Sequence, residues 1–457
     1  MSTAQSRYAT DLASGGPDRR EIHENPPKVV NVPEPGARIA VVGAGIAGLS
    51  SAWLLSKRYH VTLFESGDYF GGHSNTVDVT LEGRTHPVDT GFLVHNDLTY
   101  PNLIALFEHL GVPVHQSDMS FGVSIERPDI EWAGTDLSTV FAQKSLLLNP
   151  RFLGMLGQIL RFNRNAQRYL HETISRPMTL GELLQRHDYG QSMQHWYLLP
   201  MAAAIWSSSV RDILQFPAAT FLRFCLNHRL LQVEGRPQWR TVLGGSREYV
   251  KAMLASISDA RLASPVQQIV RSGGKVHIST PHSSESFDAV ILACHPPTSV
   301  QILDASAQEL AILGSVRYQH NAAVLHTDQN LLPRRRKVWS AWNYMSTSGE
   351  GLERAVSVSY LINRLQPLPF DTPVIVSLNS HIPIDETKVI QRLSYEHPVM
   401  DQAAIDAQRR LHTIQGVQQT WFCGAWSGYG FHEDGLKSAI NVAADFGIEP
   451  PWTGDAA

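Results

Sequence analysis

Three glycines, Gly43, Gly45 and Gly48, stand between the apolar run Ile39-Ala-Val-Val42 and a stretch from Leu49 in which apolar residues recur at helical spacing. Strand, tight turn and helix in that order suit the pyrophosphate of a dinucleotide. Gly43 lets the chain turn, Gly45 lets backbone approach the phosphates, and Gly48 lets the helix pack hard on the strand. The helix N-terminus adds free N–H groups for the anion. Ala44, Ile46 and Ala47 complete the turn. The next apolar run, His60 to Phe64, leads into Glu65 and Ser66, where a ribose-binding carboxylate is expected about 20 residues beyond the glycines. The spacing predicts a dinucleotide site.

After Glu65 comes a second glycine pair, Gly71-Gly72, of the kind found in FAD-binding proteins of the glutathione-reductase type and usually missing from NAD-only domains. With it, the opening segment resembles the flavin amine oxidase and protoporphyrinogen oxidase superfamily. Val88 to Leu103 and Asp118 to Ser124 look more specifically like a bacterial branch of FAD/NAD-binding oxidoreductases, some associated with modification of membrane fatty acids. The resemblance runs from about Arg38 to about Trp452. It implies FAD as cofactor, touched by Gly71, Gly72 and His73, by the backbone of Val266, and by a closing segment, Thr420 to Ile440, through Gly424, Asp434, Gly435 and Leu436. It departs from amine oxidases at His73, where those commonly carry arginine. His73 is then either a polar neighbour of the flavin or a point of covalent attachment.

A flavin carries the difficult redox step itself, so no obligatory catalytic triad is expected. His432, Glu433 and Tyr429, in the loop that the resemblance lays against the flavin ring, are the candidates for polarising substrate or moving a proton, and His326 and Asp328 come second. Each serves equally well to hold its loop in place. Trp206 with Ser207, and Trp342 with Tyr344, are candidates for an aromatic substrate pocket, with core packing the alternative. The lysine that amine oxidases often hold near the flavin has no firm counterpart; Lys337 is the nearest. Only one full dinucleotide fingerprint is present, so oxygen or another acceptor, rather than NADPH, is expected to exchange electrons with the flavin. The leading expectation is an FAD-dependent oxidoreductase that dehydrogenates an apolar substrate, the acyl chain of a membrane lipid, by hydride transfer to flavin N5. The alternatives are a flavin-dependent amine oxidase and a non-catalytic FAD-binding partner of a lipid-modifying enzyme.

To position these groups, the resemblance implies an α/β (α+β) architecture. A Rossmann-like FAD-binding domain of the glutathione-reductase type is assembled from residues 38–114, 240–297 and 418–447. A discontinuous substrate domain of mixed sheet and helices comes from residues 115–239 and 298–417. Residues 1–37, rich in Ser, Pro, Gly, Asp and Arg, read as a disordered tail without the apolar core of a secretory signal. Asn149-Pro150 reads as a helix start. Phe152, Met155, Leu156, Ile159 and Asn163 then follow one face, with Arg161, Arg164 and Arg168 opposite. That helix either simply packs on a core or rests its basic face on anionic lipid. The run Arg334-Arg-Arg-Lys337 is a solvated loop or a second contact for lipid phosphates.

The chain of 457 residues carries a formal charge of -4, which gives no global bias toward nucleic acid. Cys225, Cys294 and Cys423 are widely spaced, and the 20 histidines show no metal-ligand spacing, so neither a disulfide framework nor a metal site is expected. The expected location is the cytoplasm, with peripheral contact at the inner face of the membrane an open option. The oligomeric state is not written in the chain.

Overall fold

The computed structural model describes residues 31–206, 209–232, 235–347 and 357–453. Most of the expected tail, residues 1–30, lies outside them, as does Ser207. A five-stranded sheet runs in the order Asp259–Arg261, His60–Phe64, Arg38–Val42, Ala289–Leu292, Thr420–Phe422. Every neighbouring pair is parallel. The central strands are buried on both faces, as continuous β-branched and aliphatic runs should be in a sheet covered by helices. Arg38–Val42 is the strand from which the order diverges to either side. The crevice beyond its carboxyl end is therefore where a parallel sheet of this kind binds its ligand.

A second, seven-stranded mixed sheet runs Val389–Pro398, Tyr318–His326, Ile375–Leu378, Ser357–Leu361, Trp342–Ser346, Phe121–Ile125, Ile130–Ala133. Beside it lies a helical layer dominated by Pro150–Ser175, with Leu199–Trp206 and Ala218–Asn227. Asn149 caps the long helix, its side-chain oxygen accepting from the N–H groups of Arg151 and Phe152 at 3.0 and 3.2 Å, and Pro150 occupies the first turn. Phe152, Met155, Phe162, Ala166 and Tyr169 form its buried face. No helix among the described residues is long and apolar enough to cross a membrane.

Two buried carboxylates hold the chain, one between these parts and one within the mixed-sheet region. Buried Asp89 accepts from Thr76 Oγ1 (2.6 Å), from Ser246 N (2.9 Å) and Oγ (2.7 Å), and from Gln366 Nε2 (3.0 Å). It thereby ties the Thr76–Leu81 hairpin strand, the start of the Arg247–Leu254 helix and the mixed-sheet region to one point. Burial pushes its carboxyl up to about 6, against the pull of those donors. Glu131, with no accessible surface, accepts from Arg334 N at 2.8 Å, Arg335 Nη1 at 2.6 Å and Ser124 Oγ at 2.9 Å, and Arg334 also pairs with Asp129. Half of the basic run expected to be a free loop or a lipid contact is thus committed to a buried anion. A buried charge left unpaired costs several kcal/mol, which fixes those arginines in place.

Gly48 sits where the first helix crosses the strand–turn junction: a Cβ there would lie 1.7 Å from the Gly43 carbonyl oxygen. A Cβ at Gly45, whose φ of -71° any residue adopts, would meet nothing within 4 Å. Gly48→Ala is expected to lower unfolding stability by about 3 kcal/mol, the upper end for overpacking. Gly45→Ala should cost less than about 1 kcal/mol in the ligand-free protein. Denaturant titration of the two variants checks this, and equal losses would contradict it.

Candidate active site

Segments far apart in sequence converge on the Gly43 turn. Gly71 N donates to Ala44 O at 2.9 Å, and a Cβ on Gly72 would come within 3.2 Å of Gly45 Cα. The Glu65 carboxylate folds back on the turn, accepting from Ala44 N and from Gly67 N, each at 2.8 Å. Ser264 N donates to Glu65 O at 2.8 Å, which brings the Ser264-Pro-Val266 segment alongside. From the other end of the chain, the Gly424 N–H donates to Ser438 Oγ at 2.9 Å, and Gly435 abuts Ile46, so that the helices Ile46–Leu55 and His432–Asp445 lie against each other. Gly424, at φ +152°, has the Trp426 ring where a Cβ would be, so only glycine fits.

The first helix has no side-chain cap and no acid in its first turn, which leaves its N-terminal dipole open to an anion. Gly43 and Gly45 keep accessible surface between buried neighbours. His73, Cys294, His432 and Asp434 lie deep in the molecule and also keep accessible surface, as groups lining an internal space do. An uncapped helix start, glycines that keep accessible surface and a carboxylate at the second strand's end suit the pyrophosphate and ribose of a dinucleotide.

The sequence candidates fall into different roles. His432 is stacked on Phe92 at 3.8 Å, and its Nε2 lies 2.9 Å from Ser74 Oγ and 3.2 Å from Tyr249 OH, which are hydrogen-bonded to each other. Burial lowers its pKa to about 3. Glu433 turns away from the crevice. It accepts from Asn102 N and Nδ2 and from Leu103 N at 2.7–3.1 Å, closing the N-terminus of the Pro101–Leu110 helix. Burial raises it to about 7 despite those donors. Asp434 also turns back, accepting from Phe431 N at 3.0 Å. Tyr429 stands half-buried, 5.6 Å from Phe224. Leu436 is buried in the core shared by both helices.

Others are not where a pocket residue would be. Tyr344 has no accessible surface and lies in the core beneath the helical layer. Trp206 is buried among Phe216, Phe221 and Phe224, behind the Phe224 ring on the side of the helical layer. Trp342, half-buried, meets Tyr360 edge-on at 4.9 Å. His326 is fully buried, bonded to Ser377 Oγ and accepting from Asp328 N, and the Asp328 carboxylate is held by Asn330 N, Asp385 N and Lys388. Neither faces the crevice, because both finish the end of the Tyr318–His326 strand. Lys337 is exposed on a short turn at Arg336–Val338.

One pair escaped the sequence reading. His73 Nε2 lies 3.2 Å from His397 Nε2. Asn321 donates through Nδ2 to Gln319 O and to His397 Nδ1 (2.8 Å), while its Oδ1 accepts from Asn379. That orientation makes His397 Nδ1 an acceptor, so its Nε2–H donates to His73, a tautomer assigned by this network. Burial holds both rings neutral, lowering His397 to about 4 and His73 well below its ordinary value, with the facing histidines adding to the effect. The partners are 324 positions apart, and no local spacing announces them.

The family profile described as flavin containing amine oxidoreductase matches residues 46–369. The chain belongs to this family. Its cofactor is FAD, which fits the crevice just described. A similar relative is the Mycobacterium tuberculosis protein AofH, named as a flavin-containing monoamine oxidase, 28% identical over 295 residues, or 61% of this chain. The chain spans 60% of the length of that curated relative. Among solved structures, the fold is shared with a conjugated-linoleic-acid-producing fatty acid isomerase from P. acnes (TM-score 0.64, 15% identity, 90% of this chain and 99% of that one). Cyclohexylamine oxidase from Brevibacterium oxydans is as similar (0.64, 14%, 90% and 100%). At those identities the likeness is one of fold.

The neutral histidines make stability fall in acid. His95, His228 and His326 are buried, with pKa values lowered to about 4 by burial. The unfolded chain takes up their protons first, near 6.5, so the native state is at full strength above that pH and loses stability as pH drops toward 4. Each accounts for about 2 kcal/mol of loss by pH 5. Denaturant unfolding between pH 7 and pH 5 should show this slope, and His326→Gln, which keeps a donor and an acceptor for its neighbours, should flatten it by about 2 kcal/mol. An unchanged slope in that variant would contradict the assignment.

Proposed function

We propose that this chain is an FAD-dependent oxidoreductase that dehydrogenates an apolar substrate, the acyl chain of a membrane lipid. One observation carries this reading: where the closing loop meets the helical layer, the wall is mostly aromatic, and its nearby charges, Arg223 and Asp434, act at the Tyr429 end. Phe224 stacks on Phe431 at 5.1 Å and on His228 at 4.0 Å, with Tyr429 beside it. His228 is kept neutral by burial, and burial pushes the Tyr429 phenol up to about 12. The Phe224, His228 and Phe431 rings favour methylene groups over an ammonium, which loses its hydration against them, and Arg223 beside Tyr429 repels a cation. The P. acnes isomerase lends support in that it acts on a fatty acid within the same fold.

In this reading the cofactor lies along the Gly43–Gly48 turn, Glu65 and Ser66, Gly71–His73, the Val266 backbone, and Gly424 with Asp434, Gly435 and Leu436. When bound, FAD supplies the hydride acceptor. The chain's own contribution is placement. Glycine backbone and helix N-termini hold the anionic part, and the aromatic wall keeps water from the substrate. The neutral His73–His397 pair stands as a polar neighbour that brings no charge of its own. Amine oxidation is the second reading, favoured by the likeness to AofH and weakened by His73 in the place of arginine. A non-catalytic FAD-binding partner of a lipid-modifying enzyme is the third.

Anaerobic mixing distinguishes them. Phospholipid is expected to bleach the flavin absorbance while polyamines leave it unchanged. Bleaching by amines alone would overturn the lipid reading, and bleaching by neither would favour the non-catalytic partner.

A further inference from the structure

From Leu137 to His171 the chain has no Asp or Glu but carries Lys144, Arg151, Arg161, Arg164 and Arg168, in a protein whose formal charge is -4. The same stretch holds an unusual share of the exposed large apolar side chains among the described residues: Leu137, Leu147, Leu148, Leu153 and Leu160. Leu148 is 89% exposed, at the tip of the turn Lys144–Leu148 that leads into the long helix. On the helix, Leu153, Gly157, Leu160 and Arg164 recur at helical spacing on the face turned away from Phe152, Met155 and Phe162. Arg161 is anchored at the edge of this face, donating to the His187 and Asp188 carbonyls and lying over the Tyr189 ring. Lys144, Arg151, Arg164 and Arg168 are exposed around the leucines.

We infer that this surface, the Lys144–Leu148 turn with the outer face of Pro150–Ser175, docks on an anionic lipid bilayer. Leucines enter the headgroup boundary, and the surrounding cations meet lipid phosphates. The charge is what selects this occupant. A second copy of the chain would set these four exposed cations against the same four, whereas a bilayer rich in acidic lipid neutralises them. Through its inner face the docked helix packs on Ala218–Asn227, the helix that carries Phe224. The docking itself does not require the lipid-oxidation reading, and either can fail alone.

The test is co-sedimentation of the full flavin-loaded protein with vesicles of phosphatidylcholine alone and of phosphatidylcholine containing one-third phosphatidylglycerol. Binding is expected to the anionic vesicles and to weaken on the order of tenfold or more in about 0.5 M salt. Leu147→Ser with Leu148→Ser, and separately Arg151→Glu with Arg164→Glu, should each reduce it by on the order of tenfold or more while leaving circular dichroism and flavin content unchanged. Absence of binding, binding indifferent to both double variants, or a dimer in sedimentation velocity that the leucine variants abolish would overturn the proposal. Vesicle binding without flavin bleaching would sink the lipid-oxidation reading and leave the docking surface standing.

Discussion

The structure depends on one steric fact: between Gly48 and the Gly43 carbonyl there is no room for a methyl group. That contact lets the Ile46–Leu55 helix leave the central strand at once, with its uncapped N-terminus at the strand's carboxyl end. Everything else near the site is laid against this corner. Gly71 hydrogen-bonds into it, Glu65 closes on its backbone, and the helix that follows the closing loop lies on its flank at Gly435. The proposed cofactor site is a corner that only backbone can build, with segments from both ends of the chain against it.

Electrostatics around the corner follow from burial. The two acids in the first turn of the His432–Asp445 helix sit where negative charge is favoured. Both nonetheless spend their oxygens on backbone N–H groups, Glu433 on the neighbouring helix start and Asp434 on its own loop. His73, His397 and His432 are kept neutral by desolvation. Around the crevice stand backbone dipoles and neutral rings, its carboxylates Glu65 and Asp434 are bound to backbone N–H groups, and the uncapped start of the Ile46–Leu55 helix is left open to an anion.

How far this was legible in the chain depends on sequence distance. Gly43, Gly45, Gly48 and the Gly71-Gly72 pair could be read because their constraint is steric and local, and the Asn149-Pro150 helix start because a cap acts within one turn. Glu433 looked like a catalytic acid because its true partners, Asn102 and Leu103, lie more than three hundred positions away. Arg334 and Arg335 looked like a free basic run because Glu131 meets them only through the fold. Trp342 and Tyr344 share a strand face, and alternation cannot tell core from pocket when helices cover that face. The His73–His397 pair joins two segments with no shared spacing, and only the three-dimensional register of Val389–Pro398 brings it together.

We propose that one extended FAD bridges the Gly43 corner and the Gly424–Leu436 segment. Hydrogen–deuterium exchange on the protein stripped of flavin and then reloaded with FAD tests it most directly. Exchange is expected to slow together at residues 43–49, 65–73 and 424–436. Protection confined to the Gly43 corner, with residues 424–436 exchanging as before, would contradict it.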